Sequence, residues 1–410
     1  MQLLLIVAKV QNINETNMDR HIVHCDLDTF FVSVERLINT SLVGKPVLIG
    51  GSGDRGVVAS CSYEARSFGV HSAMPMKLAL RLCPEAIVVR GDHDIYAKYS
   101  SIVTEIIEGG APVVEKASID EHYLDITGMD KFFGSWKWTQ ELRSKIIKET
   151  GLPISFGLSG NKTVSKIATG EAKPSGEKQV ADGTEKLFLA PLSIRKIPMV
   201  GEKSFVLLRN MGISQIETLQ QMEVFTMRRV LGENGVSIWQ KANGQDNSPV
   251  VPFREQKSMS KETTFQIDTI DMNVLRRTLI AMVDELAYEL RAQQKLTGCI
   301  TIKIRYSNFD THTQQISIAY SNSDRVITEK VMELFKKLYS RRMLIRLIGV
   351  KFSKLIHGSY QVDLFSDTQE DINLMQAIDK IRNRFGVDYI KKGICLLDKD
   401  KGAGHDDQFA

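Results

Sequence analysis

The sequence has few of the features that place a protein in a membrane or hold a small secreted fold together. Its five cysteines, Cys25, Cys61, Cys83, Cys299 and Cys395, stand far apart. Without the close pairs of a zinc site or a disulfide framework they read as reduced thiols, mostly core filler. No run of about 18 uncharged apolar residues occurs, so no segment is long enough to span a bilayer. The nearest candidate, the opening MQLLLIVAKV, has no Lys or Arg ahead of its apolar part and no clean small-x-small site behind it. It reads as an over-long start, with Met18 rather than Met1 as initiator, and not as a secretory signal. There is no glycine-rich loop of the doubly wound kind, no internal repeat and no low-complexity tract. Neither sign of charge dominates: 53 Lys and Arg against 49 Asp and Glu leave +4, too little to name a partner. The expectation is a soluble, cytoplasmic, multidomain protein with no membrane role, of about two to four domains at roughly 100 to 200 residues each.

The charge that is there is uneven. Residues 252–356 carry 18 Lys and Arg against 11 Asp and Glu, an excess of +7, so the remainder of the chain is acidic. From 22 to 28, Val23, Cys25 and Leu27 alternate with His24, Asp26 and Asp28; that is the period of a strand, with both aspartates on one face. Further strands are expected over 45–51 and 56–65, a strand pair over 113–126, and a strand in PISFGLSG. Helices are expected over 73–82, 95–107 and 138–149, and in NKTVSKIATGEAKPSG, closed by Pro174 and Gly176. This half is α+β. From 181 to 247 short helices alternate with glycine turns, and a loop rich in Pro, Asn and Gln follows. Beyond it come strand 258–265, helix 272–294, strands 298–306 and 313–320, helix 325–339 and strand 344–354, the split β-α-β order of ferredoxin-like folds.

An Asp-x-Asp strand end is by itself no more than an acidic rim. A second cluster, SIDE, puts Asp120 beside Glu121, and strand neighbours point to opposite faces, so their joint use requires a turn or bulge. If the clusters meet, several carboxylates crowd one volume and repel unless divalent cations lie between them; hard oxygen donors suit Mg²⁺. Two such ions about 3.5 to 4 Å apart activate a hydroxyl and stabilise a departing phosphate in line. Ser60, Tyr63 and Arg66 in CSYEAR and Lys173 in AKPSG could serve a triphosphate, Tyr63 and Arg66 on one face if the segment turns helical after Tyr63. Each alone is better explained as a solvated surface charge; together with two acidic clusters they favour a nucleotide site.

DLDTFFVSVE, GKPVLI, ASCSYEARSFGV, MPMKLA, ASIDEHYLDIT, GLSGNKTVSKIAT and AKPSG stand in the order and spacing of Y-family DNA polymerases, and the set most resembles the DNA polymerase IV (DinB) branch. The resemblance implies an α+β right-hand polymerase with palm, fingers, helical thumb and a ferredoxin-like little finger. It implies an N-terminal extension over 1–21, palm over 22–180 with fingers inserted at about 30–92, thumb over 181–247, linker over 248–257, little finger over 258–356 and a tail over 357–410. The activity implied is template-directed, low-fidelity, translesion nucleotidyl transfer to a primer 3′-end in damage tolerance, by a monomer. Asp26, Asp120, Glu121 and the carbonyl of Leu27 would hold two Mg²⁺, with Glu121 on the side of the primer hydroxyl and Asp28 no direct ligand. Ser60, Tyr63, Arg66 and Lys173 would bind the incoming dNTP. Phe31 would be the wall that excludes a ribose 2′-hydroxyl, and Gly56, Val57 and Ala59 a low roof over the nascent base pair.

IPMVGEKS resembles the hairpin of a helix-hairpin-helix, which grips a DNA phosphate through backbone amides; Gly201 and Lys203 would serve there. Met199 occupies the first glycine position, which predicts a distorted hairpin. Lys303 and Arg305 of TIKIRY would meet primer-template DNA electrostatically. Gln361, Leu364 and Phe365 match the peptide that docks bacterial polymerases on a sliding clamp. Leu374, Ile378, Ile381 and Phe385 mark a packing helix in the tail. Two other readings compete: a palm-based nucleotide cyclase, which leaves the hairpin, basic domain and clamp peptide without purpose, and a catalytically silent DNA- and clamp-binding scaffold, which leaves the three acids without purpose.

Overall fold

The computed structural model describes residues 20–51, 53, 55–129, 134–358 and 369–395. The chain divides into two compact units between Arg254 and Glu255. The first opens with β1 (Ile22–Leu27) and α1 (Phe30–Ile38), then β2 (Val47–Gly50), β3 (Val58–Cys61), α2 (Tyr63–Ser67), α3 (Met76–Leu82) and β4 (Ile87–Val89). There follow α4 (His93–Glu108), β5 (Val113–Lys116), β6 (Glu121–Asp125), α5 (Ser135–Thr150), β7 (Ile154–Ser159), α6 (Lys162–Ala172) and β8 (Glu177–Gln179). Short helices close the unit: α7 (Glu185–Leu189), α8 (Glu202–Asn210), α9 (Ile216–Gln221), α10 (Val224–Leu231) and α11 (Glu233–Ala242).

The main sheet has the order β5-β6-β1-β7-β8, with β1 antiparallel to both neighbours. Alternation gives it two unlike faces. Val23, Cys25 and Leu27 point into an apolar core shared with Tyr96, Val103 and Ile107 of α4 and Leu142 and Ile146 of α5. The opposite face carries Glu115, Tyr123, His24, Glu121 and Asp26 and is covered by α6. Gly157, paired with His24, makes the close approach possible: a Cβ there would lie 2.3 Å from the Ser165 carbonyl oxygen. A smaller sheet, β3-β2-β4, has its own core around Leu48, Val58, Cys61 and Met76. Helices α7 to α11 pack with Val164, Ile167 and Ala168 of α6.

Several expected boundaries move for local reasons. The strand expected over 56–65 stops at Cys61, because the Ser62 hydroxyl accepts from the Ala65 amide and caps α2. The helix expected from 73 begins at Met76, since Ala73 sits in the left-handed region at φ 67 and Pro75 precedes the helix. Asp92 caps α4 and starts it at His93 rather than Ile95.

The second unit comprises β9 (Ser258–Thr269), α12 (Met272–Ala292), β10 (Lys295–Tyr306), β11 (Thr311–Ser321), α13 (Asp324–Leu338), β12 (Ile345–His357) and α14 (Gln369–Phe385). The expected β-α-β-β-α-β succession is present, in an antiparallel sheet of order β11-β10-β12-β9. Both long helices pack on the face made by Ile300, Ile302, Ile304, Ile348 and Val350. Thr301, Lys303, Arg305 and Lys351 occupy the other face. The tail helix α14 is held by charge: Arg291 bridges Asp379 and Asp324, and Arg382 meets Asp284 at 2.5 Å. Among the described residues no helix is long and apolar enough to cross a membrane. The expected start at Met18 and clamp residues Gln361, Leu364 and Phe365 lie outside the described residues.

Candidate active site

The two acidic clusters meet across β1 and β6, where Asp26 is the direct cross-strand partner of Glu121. Opposite residues of an antiparallel pair project to the same face. Asp120 joins through the turn that the sequence required: the Leu27 amide donates to the Asp120 carbonyl at 3.1 Å, and Ala117 and Ser118 both donate to the Glu121 carbonyl. The Ser118 hydroxyl bonds Asp120 Oδ1 at 2.6 Å. Asp26, Leu27 and Asp120 line one cleft with Phe31, Ala59, Ser60, Arg66 and Lys173.

The structure balances these acids with a basic stripe. Lys162, Lys166, Thr169 and Lys173 are spaced four, three and four residues apart along α6 and its end, so they share a helix face. Lys173 Nζ lies 2.5 Å from Asp26 Oδ1, Lys166 Nζ 2.5 Å from Glu121 Oε1 and Lys162 Nζ 2.6 Å from Glu115 Oε2. Thr169 Oγ1 sits 2.9 Å from His24 Nδ1. Sequence reasoning named Lys173 and missed Lys166 and His24, although the helical spacing of the lysines was there to be read.

The acids differ electrostatically. Burial pushes the Asp26 carboxyl up to about 6 against the pull of Lys173, with Glu121 and Asp120 adding to the rise. Glu121 is held below the ordinary carboxylate range, against burial, by its basic neighbours. His24 stands 3.9 Å from Glu121, beyond hydrogen-bond length, and burial lowers its own pKa to about 4, so the close Lys166 ammonium is the cause that geometry supports.

Asp28, which alternation faced towards the same volume, is instead consumed by structure. It is buried and accepts from Ser155 Oγ at 2.8 Å, the Ser175 amide at 2.7 Å and the Tyr63 hydroxyl at 3.3 Å. Tyr63 is thereby tied to the floor, and the Arg66 guanidinium lies 4.9 Å from its ring centre. Thr29, at φ 42 and ψ 46, turns the chain out of β1 into α1; that conformation is unusual for a β-branched residue. It places Phe31 in the cleft wall, its ring stacked on Tyr96 at 4.3 Å and 12°.

Whether the acids suit metal ions follows from their donors and present partners. The donor set is hard oxygen, the kind divalent cations take. Among the described residues, however, no three His, Cys, Asp or Glu side chains stand together as a ligand group. Asp26 and Glu121 are each engaged by a lysine, and ligation would require both ammonium groups to withdraw.

Gly56 has no room for a side chain, since a Cβ would come within 1.9 Å of the Gly51 carbonyl oxygen. Val57 and Ala59 are exposed beside it. At the hairpin, Met199 adopts φ 81, a left-handed conformation that glycine takes more readily. Gly201 is the N-cap of α8, and Gly201 and Lys203 are exposed. On β10, Lys303 Nζ contacts both carboxylate oxygens of Glu262, at 2.9 and 3.0 Å, and Arg305 donates to Thr311 Oγ1.

Residues 25–170 match the impB/mucB/samB family, and residues 256–364 the impB/mucB/samB family C-terminal domain. DNA polymerase IV of Dehalococcoides mccartyi is 36% identical over 385 residues, 93% of this chain and 99% of that protein. DNA polymerase IV of Methanoculleus marisnigri is 36% identical over 347 residues, 84% of this chain and 96% of its own. DNA polymerase IV of Listeria innocua is 35% identical over 339 residues, with shares of 82% and 95%. Among solved structures, a Y-family DNA polymerase chimera of Dbh and Dpo4 matches the fold with a TM-score of 0.73 at 24% identity, over 82% of this chain and all of that one.

Proposed function

The chain belongs to the impB/mucB/samB family of Y-family DNA polymerases and is a DNA-directed DNA polymerase of the translesion type, and on that premise we propose how its residues divide the work. Its substrates are primer-template DNA and dNTPs, and polymerases of this family use divalent metal ions. The proposed ions are two Mg²⁺, held by Asp26, Asp120, Glu121 and the Leu27 carbonyl. When bound, they supply activation of the primer 3′-hydroxyl and charge stabilisation of the departing pyrophosphate.

The protein's own groups do the rest. Lys173 and Lys166 offset the charge of Asp26 and Glu121, which limits the repulsion among acids buried together. With nucleotide present, Lys173 exchanges Asp26 for the triphosphate, where Ser60, Tyr63 and Arg66 join it. Phe31 fills the space a 2′-hydroxyl would need. Gly56, Val57 and Ala59 put little bulk over the base pair, which lowers fidelity and admits damaged templates. The hairpin at Gly201 and Lys203, and Lys303 and Arg305, bear on DNA phosphates; Gln361, Leu364 and Phe365 dock a sliding clamp. The proposed divisions are palm over 22–180 with inserted fingers, thumb over 181–247, linker over 248–257 and little finger over 258–356, in a monomer of the cytoplasm.

The observation that most supports this reading is the cross-strand pairing of Asp26 with Glu121 beside Asp120, on a face where Asp26, Glu121 and Glu115 are each met by a lysine. Primer extension with Mg²⁺ and single dNTPs tests it. Wild type is expected to extend, and Asp120→Ala and Glu121→Ala to lose extension while still binding primer-template; extension persisting in both variants would reject the metal assignment.

A further inference from the structure

Phe31 and Glu35 are four residues apart on α1, hence on one face, and both touch the same residue of α4. The ring of Tyr96 lies flat against Phe31, with centroids 4.3 Å apart and planes at 12°, and its hydroxyl donates to Glu35 Oε1 at 2.6 Å. Tyr96 is 2% exposed and Glu35 9%, so the bond is shielded from water. A carboxylate acceptor and a short distance place it among the stronger hydrogen bonds. Gly91 leaves the space the hydroxyl uses: a Cβ there would come within 2.9 Å of the Tyr96 oxygen. On its other sides the Phe31 ring meets Phe30 at 5.6 Å and, edge-on, His93 at 6.2 Å. Tyr96 is therefore the flat backing of Phe31, and Glu35 fixes its rotation from the helix that also carries Phe31.

We propose that Glu35 and Tyr96 are positioning residues for sugar selection: the Glu35 carboxylate, through the Tyr96 hydroxyl, sets the plate on which Phe31 rests and so the clearance left over the sugar 2′ carbon. The proposal rests on the reading of Phe31 as the wall against ribonucleotides. A buried acid with no part in metal or triphosphate binding thereby acquires a functional consequence. Burial and the Glu35 bond push the Tyr96 pKa well above that of an ordinary phenol, so the hydroxyl stays a donor at working pH.

The test uses the full-length polymerase and compares kcat/KM for matched insertion of a dNTP and the corresponding rNTP, with unfolding of each variant measured alongside. Tyr96→Phe keeps the ring and removes the hydroxyl; Glu35→Ala removes the acceptor; Glu35→Gln retains one. Tyr96→Phe and Glu35→Ala are expected to raise the rNTP-to-dNTP ratio about tenfold, equivalent to about 1.4 kcal/mol in transition-state discrimination. Glu35→Gln is expected to stay within about threefold of wild type on the same scale. A purely structural defect would lower both insertions together and leave the ratio alone. Phe31→Ala separates the two ideas. If it relaxes selection while Tyr96→Phe leaves the ratio unchanged, the bracing role is wrong and the wall stands. If Phe31→Ala leaves the ratio unchanged, the wall itself is wrong and the brace has nothing to position. Should Glu35→Ala not fold, Tyr96→Phe carries the test alone.

Discussion

Removing Glu115 should unfasten the edge of the palm sheet. Its carboxylate, 8% exposed, accepts from Lys162 at 2.6 Å, from the Val251 amide at 2.8 Å and from Arg254 at 3.0 Å, tying the chain after the helical segment to β5. Arg254 is 69% exposed and contributes little to stability. Lys162 is the costly partner, for Glu115→Ala leaves its ammonium buried with only the Tyr123 ring, 4.4 Å away, and the Pro249 carbonyl. Breaking a buried pair from one side costs about 3 to 5 kcal/mol, and these residual contacts favour the lower figure, about 3. At roughly 2 to 4 °C per kcal/mol for a unit of this size, the midpoint should fall by about 6 to 12 °C. All three tryptophans, Trp136, Trp138 and Trp239, lie in the first unit, so their fluorescence follows that unit's unfolding alone. Burial alone would raise the Glu115 carboxyl, but Lys162, the Val251 amide and Arg254 outweigh it and hold it below 4.5. The stabilisation is therefore complete above the unfolded value of 4.5 and lost as pH falls through the lower folded value. Wild type and Glu115→Gln should differ at pH 7 and converge in acid. A Glu115→Ala midpoint within 2 °C of wild type at pH 7 would refute the reasoning.

Met199→Gly should relieve left-handed strain of about 1 to 2 kcal/mol while adding about 0.5 to 1 kcal/mol of unfolded-state entropy, for a small net gain in urea unfolding; a loss above 1 kcal/mol would show that the Met199 side chain, not the backbone, secures the hairpin. In primer-template binding measured against salt, Arg305→Ala should reduce the slope by about 1, whereas Lys303→Ala should reduce it less, because Glu262 already engages that ammonium. Glu262→Gln should accordingly tighten binding, and an unchanged affinity would remove Lys303 from the DNA surface.

The period-2 pattern made β1 legible, and with it the face on which Asp26 stands; the adjacent acids at 120 and 121 announced the turn that lets both clusters meet. The fate of Asp28 was not legible, because Ser155 and Ser175 come from 127 and 147 residues away and no local pattern marks them. Lys166 lies between these cases: its helical spacing to Lys162 and Lys173 was present, yet only the packing of α6 on the acidic face gives that stripe a purpose. Met199 shows a local rule overridden, since the hairpin imposes glycine geometry on a residue that does not favour it. Glu35 was hidden for a different reason, as a lone acid in an apolar helix names no partner until Tyr96 is placed against it.

The central claim is that Asp26 and Glu121 exchange their lysines, and Asp120 its Ser118 hydroxyl, for divalent cations when substrate enters. A crystal structure with primer-template, an incoming dNTP and Mg²⁺ measures this directly. It should show these carboxylates about 2.0 to 2.1 Å from the ions, with Lys173 moved from Asp26 to the triphosphate. Carboxylates still paired with Lys173 and Lys166, and cations bound elsewhere, would contradict it.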